Sequence, residues 1–356
     1  MEIKIKNKFL SIPIIQGGMG VGVSLSNLAG NIAKLGGMGV LSSAHPGYRH
    51  KDFFKDTLNI NIQEMKKEVQ KAKELAKGLG MIAVNMMVAI KDYESMIKAA
   101  IQGGCDAIIS GAGLPLKLPE YVKGKNIAIA PIVSSKKAIA LILKQWDKKY
   151  QTTADFIVIE GSQAGGHLGF NKEDLLNDNT PSLDSILSEV LEVTKDYENK
   201  YNHSIPVFVA GGIYHGQDLK HYMNLGAAGA QMSTRFITTH ECDASLAYKQ
   251  KFIEATKDDI GLVKSPVGLP GRAISSPLTK KLENGEKIPI KHCFNCLIPC
   301  NPRTTQYCIS MALIEAALGN IEEGLFFSGS NGYLNQEITS VEEVVKNIMM
   351  ECEEQS

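Results

Sequence analysis

The chain has no run of about 18 apolar residues, the length that a membrane-spanning helix needs. It also has no excess charge, since 38 basic residues balance 38 acidic ones. That balance argues against the basic surface by which a protein holds nucleic acid or an anionic membrane. The one basic-looking stretch, around Lys66, Lys67 and Lys77, is interleaved with Glu64, Glu68 and Glu74 and reads as a solvated helix face. Low-complexity tracts are missing. The opening residues, Met1-Glu2-Ile3-Lys4-Ile5-Lys6, alternate like a strand and lack the apolar centre of a secretion signal. Seven cysteines without an export signal point to reduced thiols and a cytoplasmic location. The expected partner is a small-molecule substrate, with no nucleic acid and no membrane; NAD(P)H and a homodimer are left open.

Glycine, by contrast, is plentiful. The 33 glycines gather where short apolar runs end, as turn and ligand-loop glycines do. Strand candidates fall at residues 12–15, 39–42, 81–85, 107–110, 127–132, 156–159, 206–210 and 230–232. Helical segments separate them. The first of these, residues 24–35, is expected to open on a serine cap and close on Gly36-Gly37. A helix over residues 243–255 follows the last strand. This alternation predicts an α/β fold, a TIM (β/α)8 barrel over residues 1–259. An open doubly wound sheet is the rival arrangement. Residues 260–340 then form a smaller, mostly helical C-terminal subdomain, a lid that carries a proline-rich loop, Ser265-Pro266-Val267-Gly268-Leu269-Pro270-Gly271, and a cysteine-rich segment. Residues 341–356 read as a C-terminal helix.

In such barrels the site lies at the C-terminal ends of the strands, and the loops after strands seven and eight commonly hold a phosphate. Here those loops read Ala210-Gly211-Gly212-Ile213 and Gln231-Met232-Ser233-Thr234-Arg235. The loop after strand six, Glu160-Gly161-Ser162-Gln163-Ala164-Gly165-Gly166-His167, faces them. Glycines let an anion approach backbone N–H groups, although tight turns use the same residues. His167 directly follows this cradle and is the candidate for proton transfer, against the plainer reading of a surface histidine. His45, after strand two, is a weaker candidate. Asn85, ending strand three, offers an amide to a planar ring edge or simply forms a turn. Cys293, Cys296, Cys300 and Cys308 lie close enough in sequence to hold a metal or an iron–sulfur cluster. Their spacing matches neither the usual zinc pairing nor the common ferredoxin run, and buried reduced thiols are the alternative.

Together these pieces resemble the flavin-dependent nitronate monooxygenase family, the 2-nitropropane dioxygenase-like proteins, which also includes flavin-dependent enoyl-acyl-carrier-protein reductases. The resemblance rests on Ile14-Ile15-Gln16-Gly17-Gly18-Met19, Val84-Asn85, Glu160 through His167, Ala210 to Ile213, Gln231 to Phe236, and Ser265 to Arg272. It implies an FMN-binding TIM barrel with a small domain over its mouth. On that likeness Gln16 and Glu160 belong to the cofactor site, Gly17, Gly18 and Met19 pack along the flavin, and Asn85 bonds its ring system. Gly165, Gly166, Gly211 and Gly212, with Gln231, Ser233 and Thr234, hold its phosphate, and His167 is the catalytic histidine. Glu160 stands where many members carry glutamine, and Ser233 replaces a usual glycine. The cysteine-rich tail and Asn331-Gly332-Tyr333 are absent from the best-known members. The activity implied is oxidation of alkyl nitronates by O2 to a carbonyl compound and nitrite. NAD(P)H-dependent enoyl-thioester reduction is the alternative, and a non-enzymatic flavin or redox sensor working through its cysteines is the second.

Overall fold

A computed structural model describes residues 2–354. The first residue of the strand read at the N-terminus and the last two of the helix read at 341–356 lie outside the described residues. Eight parallel strands close into a barrel. They are β1 (Ile14–Gln16), β2 (Met38–Ser42), β3 (Met81–Met87), β4 (Ala107–Gly111), β5 (Ala128–Val133), β6 (Ile157–Glu160), β7 (Val207–Ala210) and β8 (Gly229–Met232). Closure comes from β8 pairing with β1, with Gln231 opposite Ile15. The open-sheet alternative is thereby excluded.

Period-two alternation divides the apolar residues of each strand between two cores. Met81 and Ala83, Ala107 and Ile109, and Phe156 and Val158 fill the barrel interior. Their neighbours Ile82, Val84, Ile108 and Ile157 pack outward on the helices. An antiparallel hairpin, Ile3–Ile5 with Lys8–Leu10, plugs the bottom of the interior with Ile3, Ile5 and Leu10. Lys6 and Lys8 pair with Asp155 and Asp106, at the entries of β6 and β4. The opposite, C-terminal end stays open for a site.

The surrounding helices are α1 (Ser26–Lys34), α2 (Thr57–Ala76), α3 (Tyr93–Gly103), α4 (Leu118–Val122), α5 (Lys136–Tyr150), α6 (Leu183–Tyr201), α7 (Gly216–Asn224) and α8 (Leu246–Ile253). Two local expectations are corrected. Ser24 does not cap α1; its Oγ accepts from Met19 N at 2.7 Å. The Asp243 carboxylate takes that role, accepting from Leu25 N at 2.8 Å and Leu28 N at 3.2 Å. A carboxylate at a helix N-terminus also favours the helix dipole, and no local pattern could reveal one brought in from 218 residues away. The second correction concerns α8, which does not complete the helical ring. Tyr248 and Phe252 of α8 pack instead with Phe326 and Ala316 above the barrel. The C-terminal helix α11 (Val341–Glu353) fills the vacant place between α7 and α1, burying Val341, Val344 and Ile348.

The segment between α8 and α11 is less helical than its sequence suggests. It holds α9 (Pro277–Glu283) and α10 (Ile309–Leu318), but also a small antiparallel sheet. The strands β9 (Ile260–Lys264), β10 (Pro270–Ile274) and β11 (Phe326–Phe327) make it up together with the two-residue strand Gly166–His167 from the loop after β6. These strands of two to five residues carry too little alternation to be read without their partners. The proline-rich loop is the β9–β10 turn.

Helix α11 crosses α7 at Gly216, where a Cβ would lie 2.1 Å from Ile348 O. Gly216 N also donates to Glu351 Oε2 at 2.6 Å. Gly216→Ala should therefore push the C-terminal helix away and cost about 1–3 kcal/mol, the usual range for overpacking. Denaturant unfolding checks this, with Gly261→Ala, where a Cβ meets nothing within 4 Å, as the near-neutral control.

Candidate active site

A cavity of about 240 Å³ opens at the C-terminal ends of the barrel strands. The loops after β6, β7 and β8 bring Gly165, Gly166, His167, Gly211 and Gly212 to its wall. Gln231, Ser233 and Thr234 join them from β8 and the turn beyond. Gly18 and Met19 line the side above β1, Asn85 the end of β3, and Glu160 the end of β6. Two of the expected residues lie behind this wall. Gln16 is wholly buried, with its amide spent on Val40 N and on the carbonyls of Val40 and Gly17. Gly17 packs so closely on β8 that a Cβ there would sit 2.3 Å from Ser233 Oγ. Both shape the wall rather than face the cavity.

The glycine loops have the features of an anion cradle. Gly166, Gly211 and Gly212 adopt φ values of 74°, 97° and 83°, a region that residues with a Cβ occupy at a cost. Among the described residues, the N–H groups of Gly211 and Gly212, both in the cavity lining, donate to no backbone carbonyl. No lysine or arginine lines it among the described residues. The nearby cation is Arg272, whose guanidinium donates to Ser162 O at 2.6 Å and Ala164 O at 2.7 Å, bracing the loop after β6 from behind. An anion in this part of the site would therefore have backbone N–H groups rather than side-chain cations to meet it.

Lid residues that the sequence reading did not assign to the site complete the cradle. Gly329 N donates to Thr234 Oγ1 at 3.0 Å, Ser330 N to Gln163 O at 3.0 Å, and Asn331 Nδ2 to Gly212 O at 2.7 Å. A Cβ on Gly165 would lie 2.4 Å from Gly329 N, so the two chains can approach only because residue 165 is glycine. The one signal pointing here was Asn331-Gly332-Tyr333, a small-residue turn inside the lid.

His167 is held by the lid sheet. Gly166 and His167 pair antiparallel with Arg272 and Gly271 of β10. Its Nε2 lies 2.8 Å from Ser265 Oγ, and its ring meets Phe327 edge-on at 5.0 Å between centroids. Ser265 Oγ already accepts from Val267 N, which favours O–H donation to Nε2 and leaves the ring hydrogen on Nδ1. Burial pulls the imidazole down to about 4, so it is neutral at physiological pH. Burial acts on Glu160 in the opposite sense, raising it to about 8 and keeping it protonated there. Asn85 Nδ2 donates to Gly18 O at 3.3 Å, which holds its carbonyl end free for a ligand. His45 does not line this cavity; it bonds Ser310 and Asn61 in the wall of an adjoining chamber.

The arrangement of the cysteine tail does not support the metal or cluster site that its sequence suggested. Among the described residues no group of three or more His, Cys, Asp or Glu side chains is placed to hold a metal ion. Cys293 is exposed and Cys296 bonds Ser310 Oγ, while Cys300 and Cys308 are half-buried free thiols. Cys296 and Cys300 pack with the apolar residues under the lid, and Cys308 with those beside α10. Four cysteines near in sequence are spread along a loop and a helix start, so proximity in sequence overstated their proximity in space.

Residues 2–351 match the family model described as nitronate monooxygenase. The chain belongs to the nitronate monooxygenase family. That family is one of oxidoreductases. A probable nitronate monooxygenase of Staphylococcus haemolyticus is 24% identical over 372 residues, covering 96% of each chain. A Mycobacterium tuberculosis relative named as a hydroxy-methyl-oxo-octahydro-indene-carboxyl-CoA dehydrogenase is 27% identical over 285 residues, which cover 77% of this chain. This match spans 66% of that relative's length, just under two thirds. Among solved structures, FabK from Thermotoga maritima superposes with a TM-score of 0.74 at 23% identity, over 97% of this chain and 94% of its own. Nitroalkane oxidase from Streptomyces ansochromogenes gives 0.71 at 18% identity, over 97% and 96%. At such identities these two likenesses show the fold. Among the described residues no helix is long and apolar enough to cross a membrane.

Glu160 makes a measurable pH signature. Its pKa rises from 4.5 to about 8 on folding, so the folded state holds the extra proton between those values. Stability from this group is full below 4.5 and is lost as pH rises through 8. Glu160→Gln, which keeps the shape of the protonated acid, should melt higher than the native protein at pH 9 and show a shrinking advantage towards pH 6. Parallel thermal melting curves across that range would contradict the assignment.

Proposed function

We propose that this protein is an FMN-dependent oxidoreductase that oxidises alkyl nitronates with O2 to a carbonyl compound and nitrite. The observation that carries the reading is the neutral, fixed ring of His167 beside a cradle of unspent backbone donors. The cradle fits the cofactor's phosphate. Its glycines expose N–H groups where side chains would block approach, and Ser233 and Thr234 add hydroxyls. Gly18 and Asn85 meet so closely that a Cβ on Gly18 would lie 2.6 Å from Asn85 Cβ, which leaves a flat wall suited to a planar ring. Bound FMN would supply the electron transfer between nitronate and oxygen.

The chain's own residues do the rest. A histidine held near pKa 4 is a poor acceptor for a carbon-bound proton, so the site is suited to a substrate that arrives already deprotonated. Neutral His167 donates a hydrogen bond to the anionic nitro group, and protonated Glu160 provides a second donor within the same wall. Phe327 and the lid shield the contact from water and so strengthen it. Enoyl-thioester reduction would need a proton donor here; neutral imidazole is a weak one, so that reading would draw its proton from Glu160.

Purified protein should be yellow and release FMN, not FAD, on denaturation. Gly212→Asp should lower flavin occupancy, because it sets a carboxylate against the phosphate in a partly desolvated place. Release of FAD, or a colourless protein that cannot be reconstituted with FMN, would sink the proposal. Under anaerobic conditions NADH or NADPH alone should leave the flavin oxidised; rapid bleaching would instead favour the reductase.

For His167→Ala, kcat/KM on a preformed nitronate should drop roughly 10- to 100-fold, the loss of one charge-assisted hydrogen bond. The folded pKa of about 4 lies below the ordinary 6.5, so the neutral ring persists as pH falls through 6.5. Activity on preformed nitronate should accordingly stay level between pH 7 and 5. A decline centred near 6.5 that vanishes in His167→Ala would show a solvated histidine and refute the assigned role.

A further inference from the structure

Past His167 the cavity continues into a smaller chamber of about 70 Å³. Met87, Ile90, Leu297, Ile309 and Leu313 form much of its wall, and His167, Met87 and Leu313 border both spaces. Four of the polar side chains in the wall, His45, Asn61, Ser310 and Cys296, are spent on one another. Asn61 Oδ1 accepts from Gly47 N at 3.1 Å, which turns the amide nitrogen towards His45 Nδ1, 3.2 Å away. With Nδ1 as acceptor, His45 carries its hydrogen on Nε2, which donates to Ser310 Oγ at 2.8 Å. Ser310 Oγ in turn lies 3.1 Å from Cys296 Sγ. Burial keeps His45 neutral, at about 4, and pushes the Cys296 thiol up, so neither brings a charge. No lysine or arginine lines the chamber among the described residues, whereas the acid Asp92 does.

We propose that this chamber selects the tail of the substrate, accepting an uncharged aliphatic chain of roughly three carbons and rejecting one that ends in a carboxylate. The length follows from volume, since a dry cavity of about 150 Å³ accommodates benzene's six carbons. The charge preference follows from the wall. A carboxylate there would find no lysine or arginine, His45, Asn61, Ser310 and Cys296 already have partners, and Asp92 would repel it. The inference rests on the nitronate reading for the head group only.

Straight-chain carboxylates test it, because their planar CO2⁻ head stands in for the NO2⁻ of a nitronate. Acetate through hexanoate, and succinate, are titrated calorimetrically into the purified holoprotein. Affinity should rise about 4-fold per methylene up to butanoate and fall beyond it. Succinate should bind at least about 10-fold more weakly than butanoate, for want of a cation. Leu313→Trp, which fills the chamber, should move the optimum to a shorter acid. Succinate binding as tightly as butanoate, a series with no optimum, or an optimum unmoved by Leu313→Trp would overturn the proposal. Calorimetry reads binding without turnover, so the result stands apart from whether nitronates are oxidised.

Discussion

The pairing of Gly166 and His167 with Gly271 and Arg272 is the contact on which the site depends. It turns the end of the loop after β6 into an edge strand of the lid sheet, so barrel and lid share one hydrogen-bonded ladder. His167 is thereby fixed by backbone before any side chain acts. The same pairing brings Arg272 under the carbonyls of Ser162 and Ala164 and places Ser265 beside the imidazole. Residues 329–331 then seat on the loops after β6, β7 and β8. A cradle built from mobile loops would lose much of its binding energy to ordering; one braced on two sides by a sheet loses less.

Desolvation is the second consequence of that closure. His167 and Glu160 are both withdrawn from water, and they respond in opposite senses because burial penalises whichever form is charged. The result is a pocket of hydrogen-bond donors with no resident side-chain charge, suited to an anion that brings its own. The adjoining chamber extends this economy. His45, Ser310, Asn61 and Cys296 satisfy one another in its wall, leaving mainly carbon and sulfur to meet a ligand.

The lid itself is anchored at a distance. Asp243 from beyond β8 caps α1, α8 leaves the ring to pack under Phe326, and α11 returns to take its place between α7 and α1. The chain therefore crosses from barrel to lid and back, and the barrel's helical ring closes only when the last helix docks. Barrel stability and lid position are coupled through this return.

The sequence by itself determined the barrel and most of the cradle. Eight short apolar runs with glycines at their ends are local signals, because strand burial and tight βα turns each impose a residue type at a given place. Gly165, Gly166, Gly211, Gly212, Ser233, Thr234 and His167 were legible for that reason, and the family likeness added Gly18, Met19 and Glu160. Tertiary structure alone decided the rest. Gln16 looks like a cavity residue until β2 arrives to take its amide. The eighth ring helix is α11 and not α8, since two amphipathic helices present similar patterns and only docking chooses between them. Among the described residues the four cysteines clustered in sequence form no metal-holding group, because spacing along a loop says little about convergence in space. Gly329, Ser330 and Asn331 reached the site through hydrogen bonds to residues about 100 or more positions away. The pKa values of His167 and Glu160 were equally invisible beforehand. Burial is a property of everything packed around a group, and it is written in no single stretch of chain.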